Sequence, residues 1–234
     1  DGDAEPHSLE DTPMSLKSLV IAEIAASGPM PFERFMELAL YHPEGFFGGE
    51  RLRSEKAGDF LTSPEVSPLF GESLAKFVEM ERFRIGEPFG VTEIGAGSGS
   101  LLRPLLETIR VPAMAVDLSP AARASIAATV DGIDVAAAVP GTLRGVVIAN
   151  ELADNLPMAL AQRIDGQWRE RWVGADGEGL ALVDAPVRPA VAEWLERFGS
   201  EVSDGGWIEV QLAAAAWVVG ILSRLEAGSL VVID

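Results

Sequence analysis

The sequence predicts an α/β fold in which a mostly parallel sheet carries helices on both faces. Three observations predict it. Short apolar runs alternate with helix-period segments through the second third of the chain, one run ends in three alternating glycines, and the chemically useful polar residues follow the runs at their C-terminal ends.

The glycine stretch is Val91-Thr92-Glu93-Ile94-Gly95-Ala96-Gly97-Ser98-Gly99-Ser100, followed by Leu101-Leu102-Arg103-Pro104-Leu105-Leu106. It reads as strand, tight loop and helix, with Pro104 in the first helical turn, where a missing N–H has no intrahelical partner to lose. Gly95, Gly97 and Gly99 allow positive φ and bring main-chain N–H groups close to a ligand. The spacing is G-x-G-x-G, with Ser100 where a dinucleotide fingerprint has its third glycine. Glu93 points a carboxylate at the same place, which suits a ligand with a cationic end better than a pyrophosphate. Asp117 ends the next apolar run, 22 residues after Gly95, and is placed to accept hydrogen bonds from both hydroxyls of a ribose. Ribose at one end and an amino acid at the other describe S-adenosylmethionine. A plain βα turn, with glycines that only pack helix on strand and Asp117 capping the next helix, accounts for the same residues without a ligand. A nicotinamide-dependent oxidoreductase is disfavoured by the glycine spacing.

Composition narrows the classes further. The chain has 234 residues, 48% of them apolar, enough for a core without covalent staples. Cysteine is absent, which excludes disulfides, thiolate metal sites and a catalytic thiol, and two histidines far apart, His7 and His42, argue against a metal site. A net charge of -18 argues against nucleic acid or an anionic membrane as partner and favours a basic protein or peptide. Solubility alone also accounts for that charge. No run approaches the roughly 20 apolar residues of a membrane span. Residues 1–14 are acidic and read as a mobile tail without the basic character of a targeting segment, so a cytoplasmic location is expected.

In chain order, helices are predicted over Ser15–Ala26 and Pro31–Leu40, the second with Phe32, Phe35, Met36 and Leu40 on a core face. An irregular loop follows from Tyr41 to Gly58. Asp59-Phe60-Leu61-Thr62-Ser63-Pro64-Glu65 is a candidate ligand loop, or a plain helix start before the amphipathic helix from Ser67 to Phe83. Residues 15–83 thus form an N-terminal helical segment, and 84–234 the α/β core. After the glycine loop the pattern gives helix 100–109, strand 113–117, helix 119–129, and strands near 133–138 and 145–149. Asp165-Gly166 and Asp176-Gly177 mark a small antiparallel hairpin insertion at 158–187. Helix 189–198, the run Trp207–Val210, helix 211–225 and strand Ser229–Ile233 complete the pattern. That last strand is apolar on both faces, so further C-terminal strands are expected beyond Asp234.

Five stretches in order resemble the MidA family of S-adenosylmethionine-dependent methyltransferases. They are A-L-Y-H-P-E-G-F-F at 39–47, G-D-F-L-T-S-P-E at 58–65, the strand and glycine loop at 91–99, N-E-x-x-D-x-L-P at 150–157, and W-R-E-R at 168–171. The resemblance implies a Rossmann-like methyltransferase fold, S-adenosylmethionine as cofactor, and a protein substrate methylated on arginine, since one family member is a mitochondrial enzyme of that activity. Glu151 and Asp154, three apart at a strand's end, are the candidate catalytic pair, since carboxylates must orient a guanidinium and take its proton; a helix cap at Asp154 with Glu151 contacting the donor accounts for the same residues. Asp59, Thr62, Ser63, Glu93, Gly95, Gly97, Gly99, Asp117 and Asn150 are the candidate cofactor-binding residues, with no metal. The chain departs from the family at Leu152 and Ala153, where two phenylalanines are usual, at Asn155, usually small, and at Asp117, usually Glu. A thinner aromatic wall is therefore expected around the substrate, and a non-catalytic donor-binding assembly factor is the alternative reading.

Overall fold

The computed structural model describes residues 15–49, 66–177, 179–199 and 201–234. The predicted tail at 1–14 and the candidate ligand-loop residues Asp59, Thr62 and Ser63 lie outside that set. Helix α1, Leu16–Ser27, starts where the Ser15 hydroxyl accepts the Ser18 N–H at 3.2 Å. Helix α2, Phe32–Tyr41, and α3, Leu69–Ile85, follow. Then come strand β1, Gly90–Ile94, helix α4, Leu102–Thr108, strand β2, Ala113–Val116, and helix α5, Pro120–Thr129. Ser119 caps α5, with Pro120 in the first turn. Strands β3, Asp134–Ala136, and β4, Leu143–Asn150, precede a one-turn 3-10 helix at Ala153–Asn155. The remainder is β5, Ala159–Ile164, β6, Gln167–Asp176, β7, Gly179–Ala185, α6, Pro189–Phe198, β8, Trp207–Val210, α7, Leu212–Leu222, and β9, Leu225–Ile233.

The elements form two sheets. The first is parallel throughout, in the order β3-β2-β1-β4-β9. Ala75 and Val78 of α3, Leu102 and Leu105 of α4 and Ile126 of α5 cover one face, packing on Val91, Ala115, Val146 and Ile148. Trp217 and Ile221 of α7 cover the other, against Ile94, Val116 and Val147. The alternation of Val146, Val147 and Ile148 between the two clusters is the period-2 pleat expressed as burial on both sides. Gly90, Gly145 and Gly228 lie in register across β1, β4 and β9. A Cβ on Gly228 would stand 1.7 Å from the Gly145 carbonyl oxygen, so the strands meet there at a distance that only glycine permits.

Two expectations are corrected here. The antiparallel insertion is larger than a hairpin at 158–187: it is a four-stranded sheet, β7-β6-β5-β8, because the run Trp207–Val210 pairs with β5 in the register Ala159↔Val210. That register buries Ala159, Ala161 and Val210 together under Val191 and Leu195 of α6. The final strand is also longer than 229–233, beginning at Leu225, and lies at the edge of the parallel sheet with Val232 exposed. The N-terminal helices dock mainly on the second sheet, where Met30 and Val173 exchange main-chain hydrogen bonds of 3.0 and 2.8 Å beneath Val20, Ile24 and Leu38.

In the parallel sheet the chain runs outward from β1 through β2 to β3, then returns to place β4 on the other side of β1. The crevice at the carboxyl ends of β1 and β4 is therefore the topological switch point, where open α/β sheets bind ligands.

Candidate active site

A cavity of about 700 Å³ opens at that switch point. Gly95 and Gly97 line it at φ 74° and 54°. A Cβ on Gly95 would approach Leu152 Cδ1 to 3.0 Å, so this glycine also lets the loop after β4 close over the loop after β1. Gly99, predicted as a third ligand-contacting glycine, does not line the cavity. Its Cα faces Val130 and Ile126, and an added Cβ would come within 3.1 Å of Val130 Cγ2. It packs the loop on its neighbours.

Asp117 follows β2 and reaches back to the glycine loop. One carboxylate oxygen accepts the Gly97 N–H at 3.0 Å and the other the Ser119 N–H at 2.8 Å, while Arg123 bonds the Asp117 carbonyl at 2.7 Å. Burial pushes this carboxyl up, against the pull of those amides and of Arg123. Glu93, on β1, is 3% exposed, and its Oε2 has no partner among the described residues. Burial, with the Asp117 charge adding to it, holds Glu93 well above the usual carboxylate range. At the end of β4 the buried Oδ1 of Asn150 likewise has no partner among the described residues. Two buried oxygens in one cavity that lack a partner among the described residues are places where a ligand's donors would be accepted. An amino acid's ammonium group and a nucleoside fit these acceptors and the Asp117 carboxylate, and the cavity falls within the usual range for such ligands.

The loop after β4 carries the candidate catalytic pair. Glu151 has φ 49°, a left-handed conformation unusual for a residue with a side chain, and its N–H donates to the Ile233 carbonyl at 2.7 Å. The Ala153 N–H donates to the Asp234 carboxylate at 2.7 Å. Asp154 lies in the 3-10 turn and caps no helix; the Asn155 side-chain amide donates to its Oδ1 at 2.8 Å and to the Glu151 carbonyl at 3.0 Å. Burial raises the Asp154 carboxyl, the Asp234 charge adds to the rise, and the main-chain N–H groups of Asn155 and Asp154 oppose it. Glu151 and Asp154 both line the cavity.

The aromatic wall is thicker than expected. Tyr41, Phe46 and Phe47 line the cavity from the end of α2 and the turns after it, and Trp217 lines it from α7. The N–H groups of Phe46 and Phe47 donate to Ala39 and Leu40 at 2.8 and 2.7 Å, which folds the turn back on α2. Phe46 and Phe47 meet edge to face at 4.9 Å, and Tyr41 stacks on Phe47 at 6.1 Å. The Tyr41 hydroxyl donates to the Asn155 carbonyl at 2.6 Å. Burial, with the Asp117 and Asp154 charges, pushes its phenol up to about 12. Only the A-L-Y-H-P-E-G-F-F resemblance signalled this segment in the sequence, and nothing signalled Trp217.

The comparisons with known proteins agree with this geometry. A Burkholderia thailandensis protein, solved with S-adenosyl-homocysteine bound, is 32% identical with a TM-score of 0.80, covering 91% of this chain and 60% of its own. The Drosophila melanogaster homolog of the mitochondrial protein arginine methyltransferase NDUFAF7 is 34% identical over 97 residues, 41% of this chain. The Homo sapiens protein of that name is 35% identical over 105 residues, 44% of this chain. The aligned parts are 22% and 23% of those curated relatives. Among the described residues no helix is long and apolar enough to cross a membrane. The family of S-adenosyl-L-methionine-dependent methyltransferases matches residues 72–234. That assignment sets aside the nicotinamide reading, and the chain belongs to this methyltransferase family, with S-adenosylmethionine as its cofactor.

Proposed function

We propose that the chain methylates an arginine side chain of a protein substrate of basic character. The observation that carries this reading is the pairing of Glu151 and Asp154 with an aromatic wall in one cavity, since acid and aromatic groups together suit a flat cation. The arginine activity printed in the names of the curated relatives supports it.

S-adenosylmethionine, when bound, supplies an electrophilic methyl on a sulfonium that departs as a neutral thioether. In our reading Glu93, Asn150 and the Gly95–Gly97 turn hold its amino-acid end, and Asp117 its ribose. A guanidinium has a pKa above about 12, so its nitrogen must surrender a proton as it takes the methyl. Glu151 orients the guanidinium by charge-assisted hydrogen bonds. Asp154 accepts the proton, a role for which a raised carboxyl pKa makes the better base. The remaining contribution is placement of acceptor and donor in line.

The test is incubation with methyl-labelled donor and a panel of basic proteins, followed by mass spectrometry of the labelled residues. Label on arginine is the expected result. Label on another residue type would assign a different acceptor, and donor binding without label would favour an assembly factor.

A further inference from the structure

The segment 151–157, leaving the end of β4, carries both acidic side chains of the proposed reaction, yet its only regular structure is the one-turn 3-10 helix at Ala153–Asn155. With Glu151 held at φ 49°, it keeps one conformation only if outside groups hold it. The end of β9 holds the first half, through the Ile233 carbonyl and the Asp234 carboxylate. The Asn155 side chain braces the inside, bonding both the Glu151 carbonyl and Asp154 Oδ1. The second half is held by the Tyr41 hydroxyl, reaching the Asn155 carbonyl at 2.6 Å from 114 residues earlier in the chain.

Tyr41 is itself well placed to hold something. Its helix, α2, is tied at the first turn, where both Glu33 oxygens accept from Arg188 Nη2 at 2.7 and 2.8 Å. Arg188 in turn donates through Nε to the fully buried Glu170 at 2.7 Å. At the other end of the helix the Tyr41 ring stacks on Phe47. The hydroxyl is thus delivered by an element fixed at both ends. We propose that Tyr41 is a positioning residue, whose hydroxyl holds the Asn155 main chain so that the Asn155 amide aims Asp154 at the methyl acceptor. The inference rests on the reading of Asp154 as proton acceptor.

The test compares Tyr41→Phe with the unmodified 234-residue chain. Phenylalanine keeps the ring and its stacking, so only the hydroxyl is lost. Hydrogen exchange of the amides at 151–156 should rise about 10-fold while those at 143–149 in β4 stay protected, a local opening that general destabilisation would not confine to one loop. Calorimetric affinity for S-adenosyl-homocysteine should hold within about 3-fold, while kcat for labelled methyl transfer falls about 10-fold at unchanged acceptor KM. Unchanged loop protection together with undiminished transfer would overturn the proposal. Asn155→Ala is the second variant: it keeps the carbonyl that Tyr41 holds but removes the amide that bonds Asp154 and the Glu151 carbonyl, so it should lose transfer to a similar degree. Full transfer by Asn155→Ala overturns the proposal even if Tyr41→Phe does not fold. If the unmodified chain methylates no arginine, the functional reading fails separately, and the exchange measurement still decides whether Tyr41 holds the loop.

Discussion

The carboxylate of Asp117 accepts the N–H of Gly97 at 3.0 Å, so the residue proposed to bind the ribose also braces the loop proposed to bind the amino-acid end of the donor. Asp117→Ala should therefore weaken S-adenosylmethionine by about 1 to 3 kcal/mol, the scale for losing a charged hydrogen-bond partner in a partly buried site. Asp117→Asn keeps one acceptor oxygen and should lose less. Titration calorimetry measures both, and equal affinity across all three proteins would remove Asp117 from the donor site.

Gly97 lines the cavity at φ 54°, where a β-branched side chain is strongly disfavoured. Gly97→Val should abolish donor binding while circular dichroism shows the helices and sheets retained. Donor affinity unchanged by valine would show that the loop does not approach the ligand.

Glu93 offers a prediction about pH. Its folded-state pKa is raised well above 4.5, first by burial and then by the Asp117 charge. The folded protein keeps a proton that the unfolded chain releases, so stability falls as pH rises from the unfolded value toward the folded one, and that contribution is flat above it. Glu93→Gln should melt at a higher temperature than the unmodified protein near pH 8 and lose this dependence. It should also bind S-adenosylmethionine more weakly, since the cationic end of the donor favours loss of the Glu93 proton and then meets a carboxylate, which an amide cannot supply. Melting curves across pH that superimpose for the two proteins would contradict the account.

Glu170 is fully buried and accepts hydrogen bonds from Arg188 N, Arg188 Nε and Trp172 Nε1 at 3.0, 2.7 and 2.9 Å. Removing one partner of a fully buried ion pair costs about 3 to 5 kcal/mol. The Arg188 side chain is 36% exposed, so Arg188→Met should cost less, about 2 to 4 kcal/mol in chemical denaturation. A loss below about 0.5 kcal/mol would show that Glu170 is satisfied without it.

Much of the candidate site was legible because it is local. β1 with its glycine turn, Asp117 after β2, and Asn150 to Asp154 after β4 each belong to a strand and the loop that leaves it, and a parallel sheet brings such loops together without further information. What escaped depends on long-range packing. Tyr41, Phe46 and Phe47 enter the cavity only because α2 docks beside the loop after β4, and Leu40, read as core, lines the cavity with them. The loss of two family phenylalanines at Leu152 and Ala153 suggested a thin wall, yet the wall is built from another segment. Gly99 shares its positive φ with Gly95 and Gly97, and only the position of Val130 shows that it serves packing. The four-residue run Trp207–Val210 carries no sign of which sheet it joins; its pairing with β5 is decided by the shared core under α6.

If Asp154 takes a proton during methyl transfer to arginine, Asp154→Asn and the unmodified chain differ in rate and agree in donor affinity. The substitution keeps size and most hydrogen bonding but removes the charge and the proton acceptor. Affinity for S-adenosylmethionine by calorimetry should barely change, while the rate of labelled methyl transfer to an arginine-containing acceptor falls about 100-fold or more, the usual scale for losing general-base assistance. Transfer at the full rate by Asp154→Asn would show that Asp154 is not the proton acceptor.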